Sequence, residues 1–262
     1  MSELAVRLRA LVRYARVMQS PADMYRYARL RTRYRRGVQS GSATIRLRSL
    51  GGAGVICRSS QDVYTFKHTF LAGYHLPPVA LPPDATIVDL GSNVGYTVAD
   101  FAHRYPQARI VGVEMDRDNF ELACSNTARY GDRVTLLHAA VWTHDGVVRY
   151  VGDADDAFHV ADEAVAAAGS ETKAERLAPA KRIATVLEAC GADRVDYMKV
   201  DIEGAEGTIF AAPIEWAHRV RSMKVEVHPP VTTEFVARAL TPLGFSCWND
   251  TRHPACLCAV KR

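Results

Sequence analysis

The chain has 262 residues, 48% of them hydrophobic and 24% charged, which is the composition of one ordinary globular unit with room for extensions. No apolar run approaches about 18 residues, which excludes a membrane-spanning helix. Arg7, Arg9, Arg13 and Arg16 break any secretion-signal core, so the expected location is cytoplasmic. The net charge of +4 is uneven. Residues 1–36 hold ten arginines against Glu3 and Asp23, a net +8, which leaves −4 for the rest. A basic arm on a mildly acidic body invites an anionic partner, whether nucleic acid, a membrane surface touched peripherally or a phosphorylated acceptor, and it also suits a homo-oligomer contact.

In chain order, Leu4, Leu8, Leu11, Ala15 and Met18 recur at helical spacing and predict an amphipathic helix over 3–18. Ser20-Pro21-Ala22-Asp23 reads as the cap of a second helix running to about Arg35. Ser42 to Arg58, with glycines at 51, 52 and 54, suggests a hairpin. Pro77, Pro78, Pro82 and Pro83 mark a boundary, so residues 1–80 form a basic helical and hairpin extension and residues 81–262 the main domain.

There the pattern alternates: strands at Thr86–Leu90, Arg109–Val113 and Arg133–His138, with helices at Tyr96–Arg104 and Asp118–Tyr130. Val141–Val151 predicts a hairpin about Asp145-Gly146, and 152–179 reads as an insertion, acidic and then alanine-rich. Ile183–Cys190, Ala205–Ala211 and Thr233–Leu240 read as helices, Val195–Val200 and Ser222–Val227 as strands, and Phe245–Trp248 with Leu257–Val260 as a closing antiparallel pair. Such alternation predicts an α/β doubly wound, Rossmann-like, mainly parallel sheet. The six cysteines lack metal or redox spacing; even Cys256-x-Cys258 shares one strand face, so reduced, mostly buried thiols are expected.

One turn carries the chemistry. Ile87-Val88-Asp89-Leu90-Gly91-Ser92-Asn93-Val94-Gly95 puts glycines between a strand and a helix, where backbone can approach a ligand at the carboxyl edge of the sheet. Asp89 beside this turn would repel a pyrophosphate but suits the ammonium and sulfonium of S-adenosylmethionine (SAM), and Tyr96 stands where a dinucleotide fingerprint wants glycine, which disfavours a nicotinamide-dependent oxidoreductase. Glu114, 23 positions after Gly91, ends the next strand and can accept both ribose hydroxyls. The expected SAM pocket therefore comprises Asp89, Gly91, Asn93, Gly95, Tyr96, Glu114, Met115 and Asp201, with His138 and Ala139 near the adenine.

Downstream stand Asp196-Tyr197-Met198-Lys199-Val200-Asp201-Ile202-Glu203-Gly204-Ala205-Glu206 and Lys224-Val225-Glu226-Val227-His228. With the Val88–Gly95 turn and the Arg58…Asp62…Tyr74 lead-in, this combination resembles the FkbM family of methyltransferases from about Arg58 to His228. The resemblance implies a class I methyltransferase sheet of seven strands with an antiparallel last strand, and O-methylation of saccharide, glycolipid or polyketide hydroxyls in secondary metabolism. The Asp-Ile-Glu-Gly block replaces the polar-proline-aromatic block of base N-methylation, so a nucleic-acid acceptor is disfavoured despite the basic arm. A non-catalytic binding protein on this fold would predict damaged cofactor residues, and Asp89, Gly91, Gly95 and Glu114 are all present.

Methyl transfer to a hydroxyl requires a proton acceptor, and two routes stand open. In the first, His228 is the base, with Asp201 or Glu203 orienting it or the acceptor. In the second, Asp201, Glu226 and His228 hold a divalent ion such as Mg2+ that acidifies the hydroxyl. The base route is the preferred expectation, because the two acids end different strands. His159, in the insertion, is a further candidate for substrate contact.

Overall fold

The computed structural model describes residues 12–151, 159–160 and 175–261. The expected helix over 3–18 is described only as α1 (residues 12–17). Residues 3–11 of it, the insertion over 152–158 and 161–174, and the side chain of His159 lie outside the described residues.

α2 (Pro21–Arg35) starts where the cap predicts: the Asp23 amide donates to Ser20 Oγ, and Pro21 takes the first turn, where its missing N–H costs nothing. β1 (Ser42–Arg46) and β2 (Gly54–Arg58) form the expected antiparallel hairpin. The next segment, unassigned from sequence, is α3 (Asp62–Phe66) continuing into a π-helical turn (Lys67–Ala72). Phe66 and Phe70 of this segment join Tyr27, Leu30, Ile45 and Val55 in a buried cluster that reaches Val94, Tyr96 and Ala99. The N-terminal segment is thereby fastened to the first helix of the main sheet.

That sheet begins with β3 (Thr86–Leu90), α4 (Tyr96–Arg104), β4 (Arg109–Glu114), α5 (Arg117–Thr127) and β5 (Val134–His138). Next come β6 (Ala140–Val141), β7 (Gly146–Val151), β8 (His159–Val160), β9 (Glu175–Lys181) and α6 (Ile183–Ala189). The chain closes with β10 (Tyr197–Val200), α7 (Glu206–Ala211), β11 (Ser222–Glu226), α8 (Thr233–Leu240), β12 (Phe245–Asn249) and β13 (Cys256–Lys261). The seven strands lie in the order β12-β13-β11-β10-β3-β4-β5. β3, β4, β5, β10 and β11 run parallel, and β13 is antiparallel to both its neighbours. The strands are apolar on both faces, as a covered parallel sheet requires. Ile87, Ile110 and Tyr197 pack against Val98 and Phe101 of α4, while Val88, Leu90, Met198 and Val225 pack on the side of α6 and α8.

The hairpin expected about Asp145-Gly146 does not form. β6 pairs in parallel and β7 antiparallel with β9, so these strands and β8 make a second sheet in the order β6-β9-β7-β8. The reason is visible at the turn: Asp145 accepts from the Arg182 amide and Nε and from Thr185 Oγ1 at 2.9–3.0 Å, so its carboxylate anchors the start of α6 and holds the incoming β9 beside β7. All six cysteines are unpaired, and Cys57, Cys190, Cys256 and Cys258 are buried. Among the described residues no helix is long and apolar enough to cross a membrane.

Candidate active site

β3 hands the chain into the cofactor turn through Gly91 at φ 79°, and a Cβ there would lie 1.7 Å from the Asp201 carbonyl oxygen. Only glycine lets the ends of β3 and β10 close to this distance. Gly91 and Ser92 both donate to Val113 O at 3.0 and 2.9 Å, and the Asn93 amide, at φ 48°, donates to Glu114 Oε2 at 2.8 Å. Glu114 Oε1 accepts from the Asp116 amide at 2.8 Å. Burial pushes the Glu114 carboxyl up to about 7, against the backbone amides of Asp116, Asn93 and Met115 that lower it. Ser92 is buried in the wall, and its Oγ has no hydrogen-bond partner among the described residues.

Beside this turn opens a cavity of about 770 Å3, within the roughly 300–1,000 Å3 typical of ligand pockets. One wall is the carboxyl edge of the sheet: Gly91, Asn93, Glu114, Met115, Ala139, Asp201, Glu203 and Glu226. The other is the N-terminal segment, including Arg58, Asp62, Tyr64, His68 and Tyr74. Arg58 grips Asp62 with Nε and Nη2, both at 2.9 Å, and also donates to Asn119 on α5, tying the two walls together. His68 is kept below its ordinary range by burial and by the Lys67 and His253 charges.

At the far end, side chains from three strands meet. Lys199, 3% exposed, lies 3.2 Å from Asp89 Oδ1 and 3.1 Å from Asp201 Oδ2, and donates to Gly91 O at 3.1 Å. The register explains the meeting: Lys199 stands directly across from Asp89, on the α4 side of the sheet. Burial opposes its charge, but Asp201 and Asp89 hold the ammonium well above the ordinary lysine range. Glu203, in the left-handed region at φ 54°, has its carboxyl 3.1 Å from His228 Nε2. His228 Nδ1 meets Glu206 Oε1, also at 3.1 Å. Burial disfavours the imidazolium, yet the Glu206 hydrogen bond and the charges of Glu203, Glu206 and Asp201 outweigh it and push His228 up to about 9. Burial and Asp201 raise Glu203 and Glu226 to about 7 each.

Several expected residues take other roles. Asp89 is fully buried and is not on the cavity wall; Thr97 Oγ1 donates to Oδ2, and Oδ1 has the Lys199 ammonium 3.2 Å away as an ion pair but no hydrogen bond among the described residues, so the carboxylate orders the turn from behind. Tyr96 is fully buried in the N-terminal cluster, its hydroxyl donating to Ile56 O at 2.8 Å. Gly95, at φ 78°, serves helix packing, since a Cβ would stand 2.9 Å from Ala123 Cα of α5. His138 is spent on Met115 O at 3.0 Å and on the Phe120 ring at 5.3 Å, while its neighbour Ala139 lines the cavity. His228 has a carboxylate 3.1 Å from each ring nitrogen, and these partners raise it to about 9, which favours the imidazolium over the free base expected from sequence. Nor do Asp201, Glu226 and His228 gather as one metal set: Asp201 and His228 cluster with Glu203, whereas Glu226 clusters with His253 and Cys256.

The sequence reading missed Lys199. Its signal was a lysine centred in the apolar run Tyr197-Met198-Lys199-Val200, since a cation inside a doubly covered strand must find a carboxylate. Lys224 repeats the pattern one strand over, 2.6 Å from Asp250 Oδ2 and donating to Tyr74 O at 2.8 Å. Tyr74 is thus fixed between the two lysines, with Lys199 Nζ 5.9 Å from its ring centroid.

The strand order, the antiparallel seventh strand and the glycine turn at the carboxyl edge define a Rossmann-like, class I methyltransferase fold. Residues 89–247 match the Methyltransferase FkbM domain, and the chain belongs to that family. It is similar to a ribosomal RNA small subunit methyltransferase H of Leifsonia xyli, at 39% identity over 72 residues, covering 28% of this chain and 21% of that one. It is similar also to the methyltransferase sdnD of Sordaria araneosa, at 28% identity over 179 residues, covering 57% and 69%. Among solved structures it resembles an Aeropyrum pernix fibrillarin with bound SAM at a TM-score of 0.39 and 14% identity, covering 69% and 68%. The chain spans only about a fifth to a quarter of the length of the ribosomal RNA methyltransferases it matches, 20–24%.

Proposed function

We propose that this chain transfers the methyl group of SAM to a hydroxyl of a small acceptor of the saccharide, glycolipid or polyketide type. The observation that carries the reading is Glu203: a carboxylate in the cavity wall, beside the cofactor turn, with one oxygen 3.1 Å from His228 Nε2. The turn suits the donor. Ser92 Oγ is a buried polar atom with no hydrogen-bond partner among the described residues, Gly91 and Asn93 line the cavity with the turn's backbone, and Glu114 offers a carboxylate to ribose hydroxyls. When bound, the donor supplies a methyl on a positively charged sulfur.

The remaining work falls to this chain's side chains. A Glu203 carboxylate oxygen takes the hydroxyl proton of the acceptor, so base and orienter exchange the roles expected from sequence. His228, fixed by Glu206 behind it, keeps Glu203 ionised and in place. Asp201, tied to Lys199, aligns the acceptor, and Tyr74 and His68 line the facing wall of the cavity. A base with a pKa near 7 is matched to proton transfer at physiological pH. The left-handed backbone at Glu203 is a strained position of the kind that concentrates at working sites.

The test is the transfer of labelled methyl from SAM to a panel of sugar, lipid-linked and polyketide hydroxyls, with Glu203→Gln alongside wild type. The substitution lowers kcat by about 10²–10⁴-fold and leaves SAM affinity unchanged. Wild-type kcat rises with pH through about 7 as Glu203 loses its proton and falls above about 9 as His228 loses its own. Full-rate Glu203→Gln would remove the base, and label appearing in ribosomal RNA rather than in any small hydroxyl would replace the acceptor class.

A further inference from the structure

Beyond Glu226 lies a group of donor atoms that the proposed reaction does not use. Cys256 opens β13 directly opposite Glu226 on β11, so the antiparallel ladder sets these two side chains next to each other. His253 stands in the turn between β12 and β13, which is closed by the Cys256 amide donating to His253 O at 2.8 Å. Its ring lies between the other two, with Nδ1 3.3 Å from Cys256 Sγ and Nε2 3.6 Å from Glu226 Oε1. One ligand atom from each residue falls within 4.8 Å of the others.

We infer that Glu226, His253 and Cys256 bind a zinc-type, borderline-soft divalent cation at the edge of the cavity. Three arguments converge. A thiolate, an imidazole and a carboxylate together form a zinc ligand set, and the sulfur selects against hard ions such as Mg2+. Tetrahedral zinc spaces its S, N and O ligands roughly 3.3–3.6 Å apart, so the cluster needs to contract by only about an ångström, with the His253 ring turning to present one nitrogen. The ligands come from two hydrogen-bonded strands and their connecting turn, a frame that limits the entropy lost on binding. The alternative cluster of Asp201, Glu203 and His228 offers oxygen and nitrogen ligands but no sulfur, so it lacks the soft donor that favours zinc. Three protein ligands leave a fourth position open, and Glu226 belongs to the cavity wall, so the ion would stand one side chain from the cavity.

Metal uptake is read directly and does not depend on methyl transfer or on the acceptor. The full chain is stripped with a chelator, dialysed, and reloaded with zinc or cobalt. The expected results are about one equivalent of zinc per chain by mass spectrometry and, for cobalt, a thiolate-to-metal charge-transfer absorption. Cys256→Ser abolishes that absorption, and His253→Ala weakens zinc binding by about 10-fold or more, while both retain SAM binding by calorimetry and Cys247→Ser changes neither reading. Because His253 is partly exposed, His253→Ala preserves the test if Cys256→Ser fails to fold. No stoichiometric zinc in wild type, or zinc binding indifferent to both substitutions, overturns the inference.

Discussion

At the turn end of the cavity the ligand-facing groups are mostly backbone: the bare Gly91, the left-handed Asn93 and one carboxylate, Glu114, held by two amides. At the carboxylate end they are titratable side chains, Asp201, Glu203 and Glu226, balanced by Lys199 and His228. A backbone turn is fixed by a few neighbouring residues, and only its one carboxylate, Glu114, titrates. A charged cluster is fixed by partners far apart in the chain and carries its own pH dependence. The first arrangement suits a group presented identically in every turnover, and the second suits proton movement and discrimination between acceptors.

Lys199 belongs to both ends, since it bridges Asp89 behind the turn and Asp201 in the cavity. Lys199→Met should therefore break the distinction outright. Removing one partner of a buried ion network typically costs about 3–5 kcal/mol, or a fall in Tm of roughly 6–20 °C at this size, because two carboxylates are left facing each other. Thermal unfolding checks it, and the loss shrinks at acid pH as those carboxylates take up protons. An unchanged Tm would mean that the triad is not a buried charge network.

The next two substitutions separate the ends. Glu203→Gln acts only at the carboxylate end and lowers kcat with SAM affinity intact, as set out above. Glu114→Gln acts only at the turn end. It removes an ionised acceptor and weakens SAM binding by about 1–3 kcal/mol, with kcat at saturating SAM preserved. With Glu114 raised to about 7, SAM affinity of the wild type falls as pH drops through that value and the carboxylate gains a proton. Calorimetry across pH reads this directly. A kcat defect in Glu114→Gln at saturating SAM would merge the two ends into one functional unit.

The same contrast explains what the sequence could disclose. Thr86–Leu90, Tyr96–Arg104 and Thr233–Leu240 were legible to the residue, because a strand, a glycine turn and an apolar helix face are local patterns. The wrong hairpin at Asp145 and the unforeseen β9 pairing came from a contact set by Arg182, 37 residues away. His228 was identified as a site residue, but its protonation depends on Glu203 and Glu206, whose positions follow from the left-handed kink at Glu203. No spacing rule reveals that kink. Lys199 and Asp89 are 110 positions apart, and only the strand register brings them together.

Tyr96 gives the smallest effect and the sharpest check on where the turn end stops. From sequence it stood next to Gly95 and was expected in the SAM pocket; in the fold its ring is fully buried between Phe66 and Phe70, on the far side of the turn. Tyr96→Phe keeps that packing and removes only the hydroxyl that donates to Ile56 O. The carbonyl retains Asn126 Nδ2 as a donor at 3.3 Å, so no buried acceptor is orphaned. The cost should be about 1 kcal/mol, seen as a Tm lower by roughly 2–4 °C, with SAM affinity and kcat both unmoved. A tenfold loss of SAM affinity in Tyr96→Phe would extend the turn end into the N-terminal cluster and make the hydroxyl part of donor recognition.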